Sequence, residues 1–256
     1  VQAVFQDPFA VYNPFYKVDN LLSIPIKNFK MASSKGEARD LMEGALTQVG
    51  LRPEETLGRY PHQLSGGQRQ RIAVARALIL KPKLLIADEP VSMVDASLRA
   101  TLLKALRALN QDYHIPILYI THDLTTAYHV SDYIVILYHG SVMEAGDVGA
   151  IITQPKHPYT QLLVGSIPWP DPDRAWGDME HVFPKGAAFD EHAPGCKFAP
   201  RCPFAFEPCT KERPPLFRID ADSVAACYLY QSEETLSGVD LGQLFPRRAA
   251  AEVQPV

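Results

Sequence analysis

The sequence predicts an α/β fold with a parallel sheet, followed by a small irregular lobe that holds all four cysteines. Three observations carry this prediction. A periodic helical stretch beginning at Gly66 is closed by Pro82 and leads into the short apolar run Lys83-Leu84-Leu85-Ile86-Ala87, which ends in Asp88-Glu89. The pattern then repeats: a leucine-periodic helix over 96–113 precedes a second apolar run over 115–120, which ends in Thr121-His122-Asp123. Apolar runs this short, alternating with helices, read as buried parallel strands. Beyond Gly149 the composition changes, with 12 of the 22 prolines lying between Pro155 and Pro215, which excludes long helices there.

Bulk properties bound the rest. With 256 residues, 46% hydrophobic and 21% charged, the chain can bury one substantial core and a small second unit. A formal net charge of -4 gives no reason to expect a nucleic-acid partner, which would favour a basic face. No apolar run approaches the ~20 residues that span a bilayer, so any membrane role is expected to come from docking to a partner. No signal peptide is evident, and the cytoplasm is the expected compartment. The chain starts at Val1 and contains no Gly-Lys pair. A P-loop needs G-x-x-x-x-G-K-[ST], so the expectation is that this is the C-terminal part of a longer protein.

Taken in order, Val4-Phe5 closes a first strand, and Gln6 opens a loop turned by Asp7-Pro8. An inserted helical subdomain is expected over about 9–82. Its aromatic-rich start (Phe9, Tyr12, Phe15, Tyr16) reads as an exposed partner surface. Ser34 is placed to cap a helix over 35–49, whose stripe of Ala38, Leu41, Met42, Ala45, Leu46 and Val49 is core, with Gly50 as its stop. Ser65 is a natural N-cap for the next helix. The amides of Gly66 and Gly67 are then expected to face outward unpaired, a arrangement that suits a phosphate. Asp88 and Glu89 lie at the C-terminal edge of a parallel strand, where open α/β sheets bind ligands. Strand alternation is expected to aim them apart, one toward a metal and the other toward a water. Asp95 is a further candidate N-cap, His122 sits at the same sheet edge, and a helix is expected over 124–130. Residues 132–138 and 141–145 read as two strands joined by a His139-Gly140 turn.

Taken singly, Ser-Gly-Gly is a turn and Asp-Glu a solvated loop. The ordered set Leu64-Ser65-Gly66-Gly67-Gln68 and Leu84-Leu85-Ile86-Ala87-Asp88-Glu89 within 32 residues resembles the ATP-binding subunits of ABC transporters. The resemblance implies a P-loop NTPase fold of the ABC type, with ATP and Mg²⁺ sandwiched between two such subunits. It implies that Glu89 is the general base for the attacking water, Asp88 and Gln6 hold Mg²⁺, and His122 contacts the γ-phosphate. Ser65, Gly66, Gly67, Gln68 and Asp95 would serve the nucleotide of the facing subunit. Met93 and Val94 depart from the commoner Ala-Leu of that loop. This chain alone is expected not to hydrolyse ATP, since it holds parts of two sites and completes neither.

The lobe narrows the resemblance. Cys196, Cys202, Cys209 and Cys227 are separated by five, six and seventeen residues. Irregular chain with little core needs a staple, and in a reducing compartment four thiolates can hold zinc or a [4Fe–4S] cluster. The C-x₂-C knuckle usual for zinc is absent. His157-Pro158-Tyr159-Thr160, the stretch from Gly195 to Pro203, and Arg213-Pro214-Pro215-Leu216 resemble the C-terminal domain of oligopeptide/dipeptide importer ATPases, which implies the cluster. The expected organisation is an ATPase part over 1–150, the four-cysteine lobe over 151–230 and a loose tail over 231–256. The expected function is an ATP-hydrolysing subunit for peptide import at the cytoplasmic face of a prokaryotic membrane. Its implied partners are a second ATP-binding subunit, two transmembrane permeases and, indirectly, an extracytoplasmic binding protein. Oligosaccharide or nickel cargo, or a soluble ABC ATPase outside transport, are the alternatives.

Overall fold

A computed structural model describes residues 1–7, 12–92, 94–167, 190, 192–236 and 244–245. Phe9, Met93 and nearly all of the tail beyond 236 (with Arg247 and Arg248), on which expectations were placed, lie outside the described residues. The chain forms two compact units, Val1–Val130 and Ser131–Val256.

The first unit carries a parallel sheet in the order β1-β2-β3, made of Gln2–Val4, Leu85–Asp88 and Ile117–Ile120. Its register pairs Val4 with Ala87 and Asp88 with Ile120. The helices are α1 (Val18–Asn28), α2 (Lys35–Gln48), α3 (Pro53–Thr56), α4 (Gly66–Ile79), α5 (Ala96–Tyr113) and α6 (Leu124–Val130). Ser34 caps α2 as expected, its side chain accepting the Glu37 N–H. Helix α4 is the centre of the unit. Ile72, Val74, Ala75 and Ala77 on successive faces have no exposed surface, because α1 and α2 cover it on one side and β1 on another. A helix apolar on most faces is stable only when surrounded in this way.

Helix α1 is not foreseen by the sequence reading. Pro25 lies inside it, which argues locally against a helix. Val18, Leu22 and Ile26 nevertheless recur every four residues and are all buried, and tertiary packing outweighs the missing N–H.

The second unit is built on an antiparallel sheet in the order β4-β5-β7-β6-β8, with strands Tyr133–Tyr138, Ser141–Asp147, Leu216–Asp220 (β6), Ser223–Ala225 (β7) and Thr235–Leu236. The short helices α7 (Val148–Thr153), α8 (Pro158–Gly165) and α9 (Glu207–Lys211) complete it. The His139-Gly140 turn is present, with φ of 45° and 75°, the left-handed pair that a tight hairpin needs. The compact units divide at 130/131 rather than at 150. The reason is pairing: β5 joins β7 through Ala145 and Val224, which binds the hairpin to chain some eighty residues on. Gly146 permits that approach, since a Cβ there would lie 2.2 Å from the Asp222 carbonyl oxygen.

Candidate active site and cysteine pocket

In the first unit, β1 and β2 deliver Gln6 and Glu89 to the same sheet edge, and β3 delivers His122. Gln6 Nε2 donates to Glu89 Oε2 at 2.7 Å. His122 Nδ1 lies 2.8 Å from Glu89 Oε1. An ionised carboxylate only accepts, so Nδ1 carries the hydrogen and His122 Nε2 is left for another partner. The histidine side chain is 76% exposed and the glutamate 19%. Each carboxylate oxygen offers two lone pairs, so Glu89 is held from both sides and can still accept from a water.

The two acids differ in backbone conformation. Asp88 is the last residue of β2, and Glu89 has φ 43°, a left-handed conformation rare for a side-chain-bearing residue. Such a backbone costs about 1–3 kcal/mol and persists where its surroundings enforce it. Here Glu89 N–H donates to Ile120 O at 2.8 Å, and Glu89 O accepts from Ser92 N–H and Ser92 Oγ. The Asp88 carboxylate is half-buried and has no hydrogen bond or ion pair among the described residues. An uncommitted acid next in sequence to Glu89, which Gln6 holds, is a donor that fits a hard cation such as Mg²⁺.

Asp123 is a contributor that the sequence reading missed. Its Oδ1 accepts the Thr125 and Thr126 N–H groups at 2.9 and 3.4 Å, and its N–H donates to Thr121 Oγ1. It therefore starts α6 and fixes the backbone next to His122. The signal available was an aspartate one residue before an expected helix.

The glycine motif departs from expectation in part. Ser65 Oγ accepts the Gln68 N–H, and Gln68 Oε1 accepts the Ser65 N–H at 2.9 Å, a reciprocal capping box. Gln68 is thus committed to its own helix start. The Gly66 and Gly67 amides donate no hydrogen bond among the described residues, and Gly66 is half-buried. Gly67, expected to face outward, is buried, because the first turn of α4 rests on Val94 and Leu98, 3.5 and 3.8 Å from where a Cβ would stand. Asp95 occupies the N-cap position of α5 and is exposed, but its side chain makes no capping bond. No hydrogen bond joins residues 65–68 or Asp95 to Gln6, Asp88, Glu89 or His122 among the described residues. Tyr12, expected in an exposed aromatic patch, is half-buried and donates to Arg69 O at 2.7 Å, while Phe15 and Tyr16 are exposed.

In the second unit, Cys196, Cys202, Cys209 and Cys227 all line one pocket, with His157, Phe198, Phe204 and Pro214 among its other walls and no carboxylate among the described residues. Gly195 brings two of them together: a Cβ on it would lie 2.2 Å from Cys209 O, and the next amide, Cys196 N–H, donates to that oxygen at 2.8 Å. Burial pushes the Cys227 thiol up to about 12, and the other three thiols add to the shift. Burial raises Cys196 and Cys202 as well. Among the described residues no group of three or more His, Cys, Asp or Glu side chains is placed to hold a metal ion. No helix among them is long and apolar enough to cross a membrane.

Two family models match the chain: the ABC transporter model over residues 1–92 and the oligopeptide/dipeptide transporter C-terminal region over residues 143–209. A putative oligopeptide transport ATP-binding protein of Bacillus subtilis, YkfD, is 38% identical over 92% of this chain and 71% of its own length. The oligopeptide transport ATP-binding protein OppF of Escherichia coli is 38% identical over 84% of this chain and 65% of its own. The di/tripeptide transport ATP-binding protein DppF of Pseudomonas aeruginosa is 40% identical over 90% and 71%. This chain therefore spans about two thirds of the length of these relatives. Among solved structures, the dimeric post-hydrolysis state of the ATP-binding cassette MJ0796 bound to ADP and Pi matches with a TM-score of 0.52 at 29% identity, covering 57% of this chain and 62% of that one.

Proposed function

The chain belongs to the ATP-binding proteins of the oligopeptide/dipeptide ABC transporters, and from that premise we propose that it is part of an ATP-hydrolysing subunit that powers peptide import. The observation that carries this reading is the Gln6–Glu89–His122 cluster at the C-terminal edge of the parallel sheet. Phosphoryl transfer to water asks little covalent chemistry of the protein, so positioning and charge stabilisation supply the rate. Glu89 accepts a proton from the attacking water. Gln6 and His122 hold its carboxylate in place, and His122 Nε2 is left to meet the terminal phosphate. Asp88 and Gln6 would hold Mg²⁺, which would supply charge neutralisation at the phosphate oxygens. The sequence contains no G-x-x-x-x-G-K-[ST] stretch, so these groups account for the water and metal side of the site. The free amide of Gly66, with Ser65 and Asp95, is assigned to the nucleotide of a facing ATP-binding subunit, while Gln68 fixes the Ser65 backbone and Gly67 seats the helix start on Val94 and Leu98. The further partners are two membrane permeases, which would hold the protein at the cytoplasmic face of the membrane.

Cys196, Cys202, Cys209 and Cys227 are assigned to a [4Fe–4S] cluster, with zinc as the alternative. One tetrahedral zinc needs four sulfurs about 2.3 Å from a single point, whereas a cluster gives each thiolate an iron of its own and lets the sulfurs stand farther apart. That all four thiols line one pocket is the observation that supports a metal–sulfur group there. Such a group would crosslink four points of a lobe with little core.

The test is uptake of a labelled oligopeptide by cells whose chromosomal copy carries Glu89→Gln. The reading expects uptake to be lost at unchanged protein level. Uptake at the wild-type rate would refute it.

A further inference from the structure

His157, the first residue of the His-Pro-Tyr-Thr stretch, has had no task so far, yet it is only 1% exposed. The chain around it is held by a fully buried acid. Glu144 on β5 accepts the Lys156 N–H through Oε1 and the His157 N–H through Oε2, both at 2.9 Å. The ring is held as well, since His157 Nδ1 accepts the Tyr159 N–H at 3.0 Å and so caps α8. A backbone amide can only donate. Nδ1 therefore carries no proton, and the hydrogen of the neutral ring is on Nε2.

Capping alone does not call for a histidine, because serine, aspartate and asparagine do it with shorter side chains. What the imidazole adds is a second nitrogen on the far side of the ring. His157 lines the same pocket as the four cysteines, with the Phe198 ring centroid 6.0 Å from its own. Its Nε2–H has no hydrogen-bond partner among the described residues, so the donor is left to whatever occupies the pocket.

We infer that His157 is the hydrogen-bond donor to the metal–sulfur group of this lobe, its Nε2–H directed at a sulfur of that group while Nδ1 and Glu144 fix the ring. The inference rests on the four-cysteine cluster reading above. It makes His157 a positioning and tuning residue and leaves ligation to the cysteines. Hydrogen bonds to the sulfurs are among the factors that set a cluster's potential, and donors raise it.

The experiment uses the full chain purified without oxygen and, where needed, reconstituted with ferrous iron and sulfide. His157→Asn keeps an oxygen cap for Tyr159 N–H and removes the Nε2 donor, whereas His157→Gln returns an N–H near the lost position. Iron and acid-labile sulfide are measured first, then the reduction midpoint. His157→Asn is expected to load like wild type, with its reduction equilibrium shifted about tenfold toward the oxidised form, ~59 mV for one electron. His157→Gln is expected to recover part of that shift. In wild type itself, with ¹⁵N-histidine, the reduced cluster should show hyperfine coupling to one nitrogen and to an exchangeable proton. That measurement decides the matter should the asparagine variant fail to load. A loaded wild type without such coupling, or a loaded His157→Asn shifted by less than twofold, overturns this inference alone. A wild-type chain that takes up no iron and sulfide overturns the cluster reading, and the role of His157 with it.

Discussion

Replacing Gly195 with alanine tests whether the cysteine pocket is built as described. The new Cβ would stand 2.2 Å from the Cys209 carbonyl oxygen, 2.8 Å from the Thr210 carbonyl carbon and 2.9 Å from that of Cys209. The obstacle is backbone, so no side chain can swing away, and the two chain segments must part by roughly an ångström. Forcing a methyl into packed structure costs about 1–3 kcal/mol. The Cys196 N–H bond to Cys209 O would be stretched or lost, adding about 0.5–1.5 kcal/mol. The expected destabilisation is therefore ~2–4 kcal/mol. With a slope of about 2 kcal/mol per molar in urea, that lowers the unfolding midpoint by roughly 1–2 M. Far-UV circular dichroism during urea titration measures it, and iron content after anaerobic purification should fall in parallel. Gly44→Ala makes the contrast: it lies inside α2 with nothing within 4 Å of a built Cβ, and should stabilise by about 0.5–1 kcal/mol. A Gly195→Ala protein with the wild-type midpoint would refute the reasoning.

Three further outcomes follow. Asp123→Ala should cost about 1 kcal/mol by uncapping α6, and Asp123→Asn should regain most of it; thermal melts decide, and an unchanged melt for alanine counts against the capping role. Burial holds His157 down to about 4, against 6.5 for an ordinary imidazole. The unfolded chain then takes up the proton first, so this residue's stabilisation is present above pH 6.5 and declines as pH falls toward 4, by up to ~3 kcal/mol. Glu144, pushed above the usual carboxylate range by burial, works in the opposite sense near the foot of that window. Urea midpoints at pH 7, 5.5 and 4.5 should therefore decline more steeply for wild type than for His157→Asn; identical slopes would exclude the imidazole as the cause. Lastly, with Cys227 pushed up to about 12, the metal-free folded chain should react with iodoacetamide at pH 8 far more slowly at Cys227 than the urea-unfolded chain does. Equal rates on peptide mass mapping would show that the pocket is open.

Much of the first unit was legible because its signals are local. The cap at Ser34, the leucine period of α5 and the apolar runs ahead of Asp88 and His122 each need only a few neighbouring residues to be read. Helix α1 was hidden by Pro25, whose penalty is local while its compensation is tertiary. The geometry of Glu89 could not be read either: its left-handed backbone depends on Ile120 and Ser92, one of them on another strand. The burial of Gly67 depends likewise on Val94 and Leu98, an element away. In the second unit the pairing of β5 with β7 joins Ala145 to Val224, and no local pattern marks such a partner. Glu144 reads as an ordinary strand carboxylate until Lys156 and His157 are seen to close on it. The four cysteines were legible as a set meant to meet, and the Gly195 approach to Cys209 that brings two of them together was not.

The central claim is that Glu89, clasped by Gln6 and His122, activates the water that attacks ATP. It is tested most directly by single-turnover ATP hydrolysis with the protein purified from its complete open reading frame, comparing wild type with Glu89→Gln at saturating MgATP. Loss of a positioned general base predicts a rate lower by about 10²–10⁴-fold with nucleotide binding unchanged. Hydrolysis by Glu89→Gln at the wild-type rate would contradict the account.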